Sequence, residues 1–382
     1  FERLASDLFE AMKGGGRIGF EKVAWFNGSL FDDAEAIPLR KDEIELTLRA
    51  AKRDWSEIDP SIFGTLFERG LDPDKRSQLG AHYTDRDKIM MLVEPVVVRP
   101  WREQWDETRR KIKELTEKAE KTKSKGQRTK LLNDAEEAYK GFLDELREFR
   151  VLDPACGSGN FLYLSLQALK DLEHKAGLDA ETFGLNREFP SVGPRQVKGI
   201  ELNPFAAELA RVTIWIGEIQ WMRRNGFNVS MSPILKPLDT IECRDAILAP
   251  DGGESSWPEA DAIVGNPPFL GDRRMIGILG EGYVAALRGH YKDRIPGHSD
   301  LVCYWFVKAL DEITSKNAKA AGLVATNSIA GGNNIDVLRR IKEEAEIYEA
   351  WRDEPWVVDG ASVRVSLVCF SKQGVHTPIR LD

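Results

Sequence analysis

The segment from Val151 to Leu172 restricts the fold most. A short apolar run, Val151-Leu152, ends in Asp153-Pro154-Ala155-Cys156-Gly157-Ser158-Gly159-Asn160-Phe161 and passes into an apolar helical stretch. Strand, glycine turn and helix in that order make half of a βαβ crossover, the unit from which parallel sheets are built. Glycines let backbone come close to a bound ligand, and the helix aims its amino end at it. The spacing is not the dinucleotide fingerprint, and no Gly-Lys-Ser follows to hold a triphosphate. With an acid placed ahead of the glycines, the turn suits a ligand bearing a positive ammonium group.

Three further strand ends follow in chain order. Val197–Ile200 ends at Glu201, where an acid can accept from both hydroxyls of a ribose; Asn203-Pro204-Phe205 and a helix over Ala206–Trp221 come next. The gap from Asp153 to Glu201 exceeds the roughly 20 residues of a minimal unit, so an insertion is expected at about Gly177–Arg195. The strand Thr240–Cys243 leads to Asp245, which either accepts from a ligand amine or caps a turn. Then Asp261-Ala262-Ile263-Val264-Gly265-Asn266-Pro267-Pro268-Phe269 reads as a buried strand that stops abruptly. Two prolines hold the chain extended and remove two amide donors, Asn266 offers an amide oxygen, and Phe269 offers a flat apolar face. Those parts suit a planar, amine-bearing group; the plainer alternative is a strand-to-loop turn with a packing phenylalanine.

The rest of the chain is read around these motifs. Residues 1–79 form a helical flank, interrupted at Gly14–Gly16, Trp25–Phe31 and Asp59-Pro60. Residues 80–382 form the catalytic body. Within it, Gly80-Ala81-His82-Tyr83-Thr84 precedes a helix over Asp87–Val98 that Thr84 or Asp85 can cap. A run dense in Lys, Glu, Arg and Gln at about 101–149 predicts a helical hairpin projecting into water, with Ile112, Leu115, Leu131, Leu132, Tyr139, Phe142 and Leu146 on its sparse apolar side. Its basic stretch Lys118–Lys130 is interleaved with acids and reads as a solvated face. Gly271–His298, rich in Gly, Arg and His, reads as a mobile lid or loop whose Arg273, Arg274, Arg288, His290, Lys292 and Arg294 are candidates for phosphate contacts. Leu301–Ile313 is an amphipathic helix, and Ala321–Thr326, Ile347–Trp351 and Val363–Phe370 are strands, the last in an antiparallel hairpin.

Across 382 residues, 42% hydrophobic and 30% charged, the composition is that of a globular protein with room for one large core or two. No apolar run is long enough to span a bilayer and no signal-like start is present, which reads as a cytoplasmic protein with no membrane partner. The first residue is Phe1 rather than Met, the start expected of a piece of a longer chain. Four cysteines, Cys156, Cys243, Cys303 and Cys369, show no ligand spacing and are read as reduced thiols in apolar surroundings. A net charge of −8 gives no overall sign of nucleic-acid binding, so any such contact must be local.

Taken together, Gly80–Thr84, Asp153–Phe161, Glu201, Asp245 and Asn266–Phe269 resemble the motif series of S-adenosylmethionine-dependent DNA adenine-N6 methyltransferases of the gamma order. The closer resemblance is to the methyltransferase part of MmeI-like Type IIL restriction-modification enzymes, carried also by Trp25-Phe26-Asn27-Gly28, Asn266–Gly271, Asp300–Trp305 and Ala325–Ile329. The resemblance implies a Rossmann-like class I methyltransferase fold, α/β, with a mostly parallel sheet and an antiparallel edge hairpin. It implies S-adenosylmethionine as cofactor, held by Tyr83, Thr84, Asp153, Ala155, Cys156, Gly157, Gly159, Asn160, Phe161, Glu201, Phe205 and Asp245. Asn266, Pro267, Pro268 and Phe269 would be catalytic, no metal would be needed, and double-stranded DNA with a flipped adenine would be the substrate. Recognition and nuclease domains of the same longer chain are further expected partners, since neither is evident between Phe1 and Asp382. Two rival readings remain: a protein glutamine methyltransferase, which shares an Asn-Pro-Pro motif but has Tyr in place of Phe269, and a non-catalytic cofactor-binding or DNA-docking module of a defence complex.

Overall fold

The computed structural model describes residues 1–23, 34–53, 58–62, 86–227, 238–358, 361–374 and 380–381. Strands β1 (Gly16–Ile18) and β2 (Glu21–Val23) form a small antiparallel hairpin between helices α1 (Glu2–Gly14) and α2 (Lys41–Ala51). The glycine run that interrupts the first helix thus turns the chain directly into a strand. Gln220 Nε2 donates to Ile58 O at 2.9 Å and Arg86 pairs with Asp59 at 3.5 Å, fastening residues 58–62 to the body.

The body is an eight-stranded sheet of order β10-β8-β9-β7-β6-β3-β4-β5. Its strands are β3 (Val151–Asp153), β4 (Val197–Glu201), β5 (Ile241–Cys243), β6 (Ala262–Gly265), β7 (Ala320–Thr326), β8 (Glu346–Val358), β9 (Ala361–Ser371) and β10 (Arg380–Leu381). β3 through β7 pair in parallel, whereas β9 runs antiparallel to both β7 and β8. From β3 the chain steps outward to β4 and β5, then returns to place β6 on the other side of β3. That reversal is the topological switch point of a doubly wound sheet, and the antiparallel β9 completes a class I methyltransferase fold.

Alternation along the strands builds two cores. Ala262 and Val264 join one buried cluster while Ile263 joins the other, and Val151 and Leu152 divide in the same way. Helices α3 (Arg86–Val93), α4 (Arg99–Lys121), α5 (Lys125–Glu148), α6 (Asn160–Thr182) and α7 (Pro204–Arg224) contribute to the first. The second takes α8 (Asp272–Leu279), α9 (Glu281–Tyr291), α10 (Val302–Thr314) and α11 (Ile335–Glu344). Among the described residues no helix is long and apolar enough to cross a membrane.

Four local expectations change. Helix α3 does not end at Val98: a π-helical turn over Glu94–Val98 absorbs Pro95, with Arg99 N–H reaching Glu94 O, and the chain continues into α4. The hairpin α4–α5 is anchored rather than merely projecting, because Trp101, Trp105, Tyr139, Phe142 and Leu146 are buried in the first core and Trp105 Nε1 donates to Asp179 on α6 at 2.9 Å. Gly177 lies inside α6, so the extra length before β4 is a long helix followed by the loop at 183–193. The lid expected at Gly271–His298 is mostly helix, α8 and α9, held down by Met275, Val284, Leu287 and Tyr291.

Candidate active site

Asp153, Glu201 and Gly265 all end strands at the same edge of the sheet, and Asp245 and Asn266 lie just beyond it. β3 lies between β4 and β6, so the acid-glycine turn and the Asn-Pro-Pro-Phe segment meet at the switch point. Their approach is close: a Cβ added at Gly265 would lie 2.5 Å from Asp153 Oδ1. Only the missing side chain of the residue before Asn266 leaves room for the Asp153 carboxyl. Pro267 is buried, whereas Asn266, Pro268 and Phe269 are half-buried, so the segment is not wholly sealed inside the core.

The turn after β3 is set by its own amides. Ala155 N–H donates to Asp153 Oδ1 at 3.0 Å, Cys156 N–H to Ile200 O at 3.1 Å, and Gly157 N–H to Glu201 Oε2 at 2.8 Å. Glu201 Oε1 accepts from Asn203 N–H at 2.8 Å, so one carboxylate clasps the glycine turn and the turn after β4 together. Gly157 and Gly159 have φ of 53° and 85°, the left-handed region that disfavours side chains. A Cβ at Gly159 would also come within 3.0 Å of the Ala210 backbone on α7.

Burial governs the charges here. Asp153, 1% exposed, has its carboxyl pushed up to about 8 by loss of solvent, with the Glu201 charge adding and the Ala155 amide opposing. Burial likewise raises Glu201, against the amides of Asn203, Gly157 and Leu202. Two adjacent acids that are costly to ionise form a seat that a cation relieves.

The remaining expected residues divide. Tyr83 and Thr84, with the Trp25–Gly28 stretch, lie outside the described residues. Asn160 is buried at the start of α6, and its Oδ1 has no hydrogen-bond partner among the described residues. Ala155 is half-buried on the turn, whereas Phe161 is 4% exposed and packs in the first core. Cys156 is turned inward too, near Gly199 on β4, and burial drives its thiol well above its ordinary range; among the thiols, only Cys243 is exposed, contrary to the expected apolar setting. Phe205 is 71% exposed and Leu202 64%, an apolar pair beside Glu201. Asp245 is engaged within the protein: Oδ1 accepts from the amides of Ile247 and Leu248 at 2.7 and 3.1 Å, and Oδ2 from Tyr283 Oη at 2.8 Å. The turn-capping alternative therefore describes its contacts here.

Two supports had no role assigned from sequence. Trp305 Nε1 on α10 donates to Pro154 O at 3.0 Å, holding the glycine turn from the second core. Asp300, just before α10, accepts from Asp272 N–H at 3.0 Å and from Ser328 Oγ and Asn334 Nδ2 at 2.7 Å each. Leu301 N–H meanwhile donates to Leu270 O at 2.9 Å. Both residues fall in the Asp300–Trp305 stretch, whose only signal was its resemblance.

The match to known proteins agrees with this geometry. The family described as MmeI, DNA-methyltransferase domain, matches residues 127–379. The chain belongs to this family. DNA methyltransferase A of Bacillus subtilis strain 168 is 27% identical over 92% of the chain. A putative type II restriction enzyme and methyltransferase of Methanocaldococcus jannaschii is 26% identical over 43%. The chain spans 38% and 14% of those two relatives' lengths. The structure of the Type IIL restriction-modification enzyme MmeI in complex with DNA has the same fold, with a TM-score of 0.74 and 24% identity over 97% of this chain and 48% of that one.

S-adenosylmethionine is the cofactor of this MmeI-family methyltransferase, and the residues present fit it. Buried acids at Asp153 and Glu201, the side-chain-free turn at Gly157 and Gly159, and the orphaned Asn160 oxygen together offer a seat for a cationic, hydroxyl-bearing ligand.

Proposed function

We propose that the chain methylates the exocyclic N6 amine of adenine in DNA, with the base turned out of the duplex, as part of a restriction-modification enzyme. The contact of Gly265 with Asp153 carries this reading, because it sets the cofactor turn directly against the residue preceding Asn266. Asp153 and the glycine turn would hold the amino-acid end of S-adenosylmethionine, Glu201 its ribose, and Phe205 the face of its adenine ring. Tyr83, Thr84, Ala155, Cys156, Asn160 and Phe161 complete the expected cofactor set, the last two through the first turn of α6. Asp245 would contribute through the turn it caps rather than through a free carboxylate.

When bound, the cofactor supplies an electrophilic methyl group. Asn266 Oδ1 and the Pro267 carbonyl accept the two hydrogens of the substrate amine, which orients the nitrogen lone pair and keeps water out of its place. Pro267 and Pro268 stiffen that acceptor pair, so little reorganisation is needed when the amine arrives. Phe269 stacks on the extruded base and offsets part of the few kcal/mol lost on leaving the duplex. No side chain acts as a nucleophile, and positioning supplies most of the acceleration.

Asn266→Ala tests the assignment: tritium transfer from labelled cofactor to DNA should be lost while cofactor binding persists. Near-normal turnover would refute it. Sequencing DNA treated with the full-length protein for modified adenine tests the base, and a label appearing on protein instead would redirect the reading.

A further inference from the structure

The stretch after Phe269 holds several cations, and the structure separates them. Arg288 is spent on Asp272 at 2.5 Å, and Arg294 on Glu254 and Asp311 at 2.6 and 2.7 Å. Arg273 and Arg274, in the first turn of α8, and Lys292, just after α9, are exposed and have no ion pair among the described residues; the two arginines are the nearest of these in sequence to Phe269. The nearest acid in sequence, Asp272, is already occupied by Arg288 and by His298 Nδ1 at 3.0 Å. Glu281, the next acid in sequence, lies beyond the end of α8, at the start of α9, and has no ion pair with either arginine. On the long hairpin Lys113, Lys118 and Lys140 each pair with a glutamate one turn away, and its other exposed cations, such as Lys121 and Arg128, lie far in sequence from Phe269. In a chain of net charge −8, two uncompensated guanidinium groups four and five residues past Phe269 mark a local anion-binding surface.

The same helix carries Gly277 in its interior, a poor helix former, with nothing within 4 Å of where its Cβ would be. Ile276 beside it is 49% exposed. The missing side chain leaves open surface there, with room for the close approach of an extended polyanion.

We propose that Arg273 and Arg274 grip phosphates of the DNA backbone next to the target nucleotide, with Gly277 giving that backbone clearance. This rests on the DNA-methylating reading above. The backbone would be held four residues from the base-stacking Phe269, so that the nucleotide's sugar-phosphate is fixed while its base rotates out.

The test uses the full-length protein, a mixed-sequence DNA duplex and fluorescence anisotropy over a range of potassium chloride. Two phosphate contacts contribute about −1.8 to the slope of log K against log salt. Arg273→Ala with Arg274→Ala should make the slope shallower by about that amount, and the double lysine variant should restore it. Calorimetric affinity for S-adenosylmethionine and the melting temperature should not move. Gly277→Leu should weaken DNA binding with the melting temperature kept or raised. An unchanged slope in the double alanine variant, with wild-type protein binding DNA, overturns the arginine assignment alone. Wild-type protein that binds no DNA overturns this assignment together with the DNA-methylating reading.

Discussion

Binding of S-adenosylmethionine near neutral pH should expel a proton from Asp153. Its carboxyl is pushed up to about 8 by burial, against about 3.9 in an unfolded chain. The folded state therefore keeps a proton between pH about 4 and about 8 that the unfolded state has released. Stability supplied by that proton is whole below pH about 4 and is lost as pH rises through about 8, at about 1.4 kcal/mol per unit, or on the order of 5 kcal/mol over the window. If the cofactor's ammonium group pairs with this carboxyl, it needs the ionised form. At pH 7 about nine-tenths of the molecules hold the proton, so binding should release about 0.9 proton per site. Titration calorimetry in buffers of different ionisation heat measures that number as the slope of apparent enthalpy against buffer enthalpy. Asp153→Asn should release markedly less, bind the cofactor at least tenfold more weakly, and flatten most of the decline in stability between pH about 4 and about 8, with Glu201 left as the remaining raised acid. A wild-type slope near zero at pH 7, or equal release in the variant, would refute the pairing.

Three smaller tests follow. Gly265→Ala should cost about 1–3 kcal/mol in denaturant melts, by the usual penalty of overpacking, and should reduce cofactor affinity by displacing Asp153; a neutral effect on both would mean that the two motifs are less tightly abutted. Trp305→Phe keeps an aromatic ring but loses volume in the core and deprives Pro154 O of its donor, which should lower stability by about 1–3 kcal/mol and loosen cofactor binding several-fold, checked by melts and calorimetry. Asp300→Ala removes the acceptor of three donors, so methyl transfer to DNA should fall at saturating cofactor while cofactor affinity stays; loss of cofactor binding instead would assign Asp300 to the other half of the site.

Much of this arrangement was legible because its parts announce themselves locally. Apolar runs that stop at an acid or a proline gave β3, β4, β5 and β6 within a residue or so, and their chain order gave the shared edge. Where local signals and tertiary packing disagree, reading failed. Asp353-Glu354-Pro355 reads as a strand end after Trp351, yet β8 continues to Val358 because the strand bulges there, with Asp353 at φ 64° and a register shift between Trp351 and Glu354. In Gly271–His298, glycines and charges hid the spacing of Val284, Leu287 and Tyr291, which becomes evident only against the core they enter. Asp245 illustrates a different limit: an acid at a strand end serves a turn or a ligand equally well on paper, and the amides that claim it come from residues whose backbone direction is not written in their names.

The helix α10 hangs beneath both halves of the crevice. Its entrance, through Asp300 and Leu301, holds the chain leaving Phe269, and one turn later Trp305 holds the chain leaving Asp153. Thermal tilting of that single rod would carry donor and acceptor loops in step, leaving their separation nearly constant while the outer layers breathe. Alignment for transfer is then a property of one buried helix, and drift in its packing would be felt as lost rate well before it was felt as lost fold.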